Sequence, residues 1–196
     1  MTRAAGLVMA IASGLSILFM AHHPTGIGGP GINLNNTIHA GMMIFVVVML
    51  AGWTAFTVRR GLTYLNLVAI IAYALSVLGH LGAALISGFL TERLATVVAP
   101  ADSRDLFALT MVTNRVLAEA AIVAASIAFL FWSIDLLIRL PRQIVLAGLG
   151  LVAGVLPVTA LLFGWLQLDI QGAFLIYGMH ALFTGAVGIQ LTRRKL

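Results

Sequence analysis

The sequence predicts an all-α, polytopic integral membrane protein, with six transmembrane helices forming one bundle and one domain over residues 1–196. Three observations predict it. Of the 196 residues, 61% are hydrophobic and only 9% charged, whereas soluble domains carry about 25% charged residues. The mean hydropathy is +1.09. Six apolar segments come near or exceed the roughly 20 residues a spanning helix needs. Such a chain cannot bury its apolar surface within itself and still present a polar exterior. An ordinary cytosolic enzyme, a disordered chain and a nucleic-acid binder are excluded, and the expected surroundings are a lipid bilayer.

The first span, 4–21, follows Arg3 and could be read as a signal peptide, with cleavage after Ala21 leaving His22 as an N-terminal copper chelate. Its apolar stretch exceeds the usual roughly 7–15 residues, and Phe19 spoils the small-x-small cleavage pattern, so it is kept as a span. The second, 38–58, is expected to begin after Thr37 as its N-cap and stops before Arg59 and Arg60. The third covers 63–90. The fourth, 106–137, is long enough for its first turns to project from the bilayer. Pro141 falls in the turn before the fifth, 143–164, which Pro157 can kink. The sixth covers 172–192. No linker, internal repeat or low-complexity tract marks a second domain.

The formal charge of +5 is concentrated beside span ends. With the N-terminus in the cytoplasm, eight basic residues lie inside (Arg3, Arg59, Arg60, Arg139, Arg142, Arg193, Arg194 and Lys195) and three outside (Arg93, Arg104 and Arg115). The positive-inside rule then places both termini in the cytoplasm and the chain in the cell membrane. There is no cysteine, so disulfides, thiolate metal sites and iron–sulfur clusters are excluded.

Depth follows from the helical rise. Counted from the inner ends of their spans, His39 lies about 30 Å up, Glu119 about 27 Å, His80 about 25 Å and His180 about 18 Å. His22 and His23 follow the first span directly. All five histidines thus belong to the outer half. Helical spacing groups Tyr73, Ser76, His80 and Ser87 on one face. It does the same for Arg115, Glu119, Ser126 and Ser133, and for Tyr177, His180, Thr184 and Gly188. In lipid a polar stripe faces the bundle interior or a wet cavity. A single intramembrane histidine is often only a hydrogen-bonding contact between helices, and Glu119 has a simple partner in Arg115 one turn away. The functional reading rests on convergence, because three helices bring His80, Glu119 and His180 to one layer, with His39 above it.

Haem b is the expected cofactor. Two neutral imidazoles from different helices can ligate iron from both faces, and glycines beside His80 and His180 allow a porphyrin close approach. Two of His39, His80 and His180 would be ligands, Arg115 would neutralise a propionate, and Glu119 would handle protons. The activity expected is electron transfer between membrane quinol and an outer acceptor. The alternative is a copper or other transition-metal site, for uptake or catalysis, drawn from His39, His80, His180, Glu119, His22 and His23. Met20, Met42, Met43, Met111 and Met179 would lie nearby, because imidazole and thioether suit copper. A third reading is a non-catalytic subunit docked to other membrane subunits, its histidines acting as polar contacts between helices.

Motif searches add little. Gly26, Gly28 and Gly31 form a literal GxGxxG, but it follows a membrane span and contains Pro30, so dinucleotide binding is rejected. Asn35-Asn36-Thr37 matches a glycosylation acceptor, too close to the membrane to carry weight. No GxSxG elbow supports a serine hydrolase. The inner half offers few titratable groups, which argues against a proton or ion path. Six short spans bearing histidines resemble membrane cytochromes in general architecture, and no motif takes that resemblance further.

Overall fold

The computed structural model describes residues 2–22, 34–97 and 103–193. The helices are α1 (Thr2–Ala21), α2 (Leu34–Arg60), α3 (Tyr64–Leu85), α4 (Thr91–Val97), α5 (Ser103–Arg139), α6 (Ile144–Leu162) and α7 (Ile170–Thr192). A π-helical turn, Ile86–Leu90, joins α3 to α4, and a 3₁₀ turn, Pro141–Gln143, precedes α6. No strand occurs among the described residues. Six helical stretches are long and apolar enough to cross a membrane. Their outward faces carry large apolar side chains such as Leu78, Ile138 and Val145, the last 84% exposed.

Local chemistry sets the boundaries. Gly61, at φ +91°, takes a conformation that side-chain-bearing residues rarely adopt and ends α2. Thr63 then caps α3, its hydroxyl accepting from the Asn66 N–H at 3.3 Å. Asp169 caps α7 by accepting from Gly172 N–H at 2.8 Å. Arg59 and Arg60 occupy the last turn of α2, where positive charge complements the helix dipole.

Two boundaries depart from the sequence expectation. α2 starts at Leu34, so Thr37 lies inside its first turn and is not the N-cap. The added turn is held from outside, since Asn35 Nδ2 donates to the Ser87 and Gly88 carbonyls at 3.0 and 3.4 Å. The third span does not stop at residue 90 either. The π turn carries it on into α4, with the Thr91 hydroxyl donating to the Ile86 carbonyl at 2.8 Å.

The six long apolar helices form a closed ring in which each packs on its neighbour, α1–α2–α3–α5–α6–α7, and α7 returns to α1. The closing contact is tight. A Cβ on Gly6 would lie 2.6 Å from the Gly188 carbonyl oxygen, so only glycine lets these two backbones meet. The Ser13 hydroxyl also donates to the Ala181 carbonyl across the same seam. The start of α1 and the finish of α7 thus share one end of the bundle, called here the inner end.

The inner half is filled. Trp53 of α2 stacks on Trp132 of α5 with centroids 3.9 Å apart and planes 7° from parallel. Phe129, Phe183 and Phe56 surround Trp53 at 5.5, 5.5 and 5.4 Å. All five rings are essentially inaccessible. Trp132 Nε1 donates to the Thr57 hydroxyl at 3.2 Å. Nearer the inner end, Asp135 is buried against Arg60, 2.9 Å away, and also meets Arg139 at 3.5 Å. Arg139 in turn donates to the Arg60 carbonyl at 2.8 Å.

Candidate functional site

The outer half is hollow. A cavity of about 610 Å³ lies within the ring, walled by α1, α2, α3, α5 and α7. That volume is typical of small-molecule and cofactor sites. His39, His80 and His180 all line it, as do Tyr73, Ser76, Ser87, Tyr177 and Thr184. The stripes expected on α3 and α7 therefore face one space.

The three histidines differ in their bonding. His39 is buried, and its Nδ1 meets the Asn35 carbonyl at 2.8 Å. The π turn crosses directly above it, where a Cβ on Gly88 would stand 2.5 Å from the His39 Cβ. His80 is held through Nδ1 by the Ser76 hydroxyl at 3.1 Å, one turn earlier on α3. Its Nε2 is buried and has no hydrogen-bond partner among the described residues. His180 is 7% exposed. It stands edge-on to Phe129 with centroids 5.0 Å apart and has a backbone contact at Ala153 on α6. Its Nε2 is likewise without a hydrogen-bond partner among the described residues.

His80 and His180 also lie nearer in height than counting suggests. The His80 ring packs against Tyr177 at 5.2 Å, and Tyr177 is three residues, about 4.5 Å along the axis, from His180. The expected offset of about 7 Å is thereby reduced. Buried polar atoms are nearly always hydrogen-bonded, so two orphaned imidazole nitrogens on one cavity call for an explanation.

Other expected site residues are placed elsewhere. Glu119 is not on the cavity wall. It is 39% exposed and paired with Arg115 at 2.8 Å, the simple i,i+4 partnership. Arg115 does line the cavity, with its side chain 57% exposed. His22 is an exposed turn residue whose Nδ1 meets the Leu18 carbonyl at 2.8 Å, and it does not reach the cavity. His23 and the GxGxxG loop lie outside the described residues. Among the described residues no three histidines or carboxylates come together as a metal-binding group.

Of the methionines, Met20, Met42, Met43 and Met111 line the cavity, whereas Met179 faces a groove between α6 and α7 with Trp165 and Leu156. Sequence reasoning missed Met49, Asn114, Phe129 and Asp169, all on the cavity wall. Met49 could have been found, because it continues the helical face of His39 and Met42. No known protein family matches this chain, and no curated protein or solved structure matches it either.

Proposed function

We propose that this protein lies in the cell membrane with both termini in the cytoplasm and binds haem b in the outer-half cavity, where His80 and His180 would hold it. The observation that carries this reading is the pair of buried, unpartnered Nε2 atoms, from α3 and α7, on one cavity of cofactor size. The residues present fit the group. Ser76 meets His80 through Nδ1, leaving Nε2 without a hydrogen-bond partner among the described residues, the arrangement by which an outer partner usually fixes a ligating imidazole. Arg115 on the wall offers positive charge to a propionate. Tyr73, Phe129 and the methionines supply an apolar, polarisable surround that excludes water. Bound haem would supply one-electron chemistry. The donor in this reading is membrane quinol, the acceptor sits on the outer face, and further membrane subunits are possible partners. Glu119 has no part in it, being off the cavity.

The test is the visible spectrum of protein purified in detergent after expression with added haem. A Soret band is expected, lost in His80→Ala and in His180→Ala and retained in His39→Ala, with all variants monodisperse on size exclusion. Well-folded protein that takes up no haem overturns the reading.

A second reading has its own support. Met20, Met42, Met43, Met49 and Met111 line the same cavity as His39, and thioethers with imidazole favour cuprous copper. Colourless protein carrying stoichiometric copper, lost in Met42→Leu/Met43→Leu, selects this site. Protein with neither haem nor copper leaves the non-catalytic subunit.

A further inference from the structure

We infer that, among the described residues, the cavity opens only at the outer end, through a polar mouth, so that whatever exchanges with it arrives from water on that face. The inference rests on the shape and chemistry of the cavity and holds whichever group the histidines bind.

Its walls change character along the bundle axis. Ser87 in the π turn, Asn114 and Arg115 on α5 and Asp169 at the start of α7 line the outer part, beside Met111 and Val112. Asp169 is exposed and Arg115 is 57% exposed. An opening toward acyl chains would be rimmed by apolar side chains, since charged groups in hydrocarbon are costly. A rim holding a guanidinium and a carboxylate is the rim of an aqueous mouth.

The other end is shut twice. Tyr73, Phe129 and Thr184 form the base, and Phe129 and Tyr73 belong to the same cluster as the Trp53–Trp132 stack. Protein interiors packed in this way hold few voids that admit water. About 9 Å further along α5, Asp135 sits buried between Arg60 and Arg139, tying α2 to α5. A conduit would need polar, hydrated groups through this stretch, and large aromatic rings occupy it. The protein is therefore a one-sided receptacle and not a passage.

The absence of native cysteine makes the test direct. Single variants Ser87→Cys and Asn114→Cys at the mouth and Thr184→Cys at the base are made in full-length protein carrying a C-terminal tag. Sealed vesicles of both orientations are treated with a charged, membrane-impermeant thiosulfonate, the accessible face being assigned by proteolysis of the tag. Mouth cysteines should be modified from the face opposite the tag, and all three should show no modification from the tag face. Modification of Thr184→Cys from the tag face overturns the inference. So does modification of the mouth cysteines by a lipid-soluble maleimide but not by the charged reagent. None of these readouts requires haem, so a failure here is distinguishable from a failure of the haem reading.

Discussion

The two halves of the bundle use similar residues for opposite ends. The inner half is closed by aromatic stacking and by one buried carboxylate shared between two arginines. The outer half leaves a cavity of about 610 Å³ and two imidazole Nε2 atoms with no hydrogen-bond partner among the described residues. A chain that can pack one half to inaccessibility could have packed the other. Interior voids lose dispersion contacts on every wall, so an unfilled half weakens a fold unless something occupies it. The contrast is between a packed inner half and an outer half that holds a cavity of cofactor size.

Substitutions can break that contrast from either side. The largest effect is expected from Trp132→Ala, which removes a stacked ring and its bond to Thr57. Unfolding in mixed detergent should show a loss of about 3–5 kcal/mol. Asp135→Ala should cost a similar amount, roughly 3–5 kcal/mol, because it leaves buried Arg60 without its counter-charge. Replacing both partners by apolar residues of matching volume should recover most of that loss, which distinguishes an unpaired charge from a packing defect.

Smaller effects are expected in the outer half and should appear in binding rather than in stability. Ser76→Ala removes the hydroxyl that meets the Nδ1 of His80. Titration of haem into stripped protein should then show about 10–100-fold weaker retention, the usual consequence of losing the group that orients a ligand. The unfolding midpoint should move little. Least of all is expected from Glu119→Gln, since an exposed i,i+4 pair contributes at most about 0.5 kcal/mol. Haem retention should be unchanged in that variant. A large loss there would return Glu119 to the site.

The spans were legible because hydropathy is a local property, and the α3 and α7 stripes because three- and four-residue spacing fixes a helical face whatever lies opposite. That is why His39, His80 and His180 could be brought together from sequence. Glu119 could not be placed the same way. Its stripe on α5 is continuous, but Ser126 and Ser133 are buried inside the bundle while Glu119 stands beside Arg115 toward the outside. Periodicity gives the face and not the rotation of the helix against its neighbours. Met179 shows how narrow the margin is: one residue, about 100° of rotation, separates it from His180 and puts it in a different groove. The aromatic stack was invisible, because Trp53 and Trp132 sit in apolar runs where any large residue would have suited. Asp135 read as a boundary charge, since its decisive partner, Arg60, lies on another helix.

The seam between Gly6 and Gly188 has a consequence for assembly. Synthesis proceeds from α1 to α7, yet α7 carries His180 and must come back against α1 before the enclosure exists. Until that helix emerges from the ribosome, the nascent chain is an open palisade with only two of the three imidazoles that line the cavity. Any guest that needs His180 must therefore be acquired after α7 has been made.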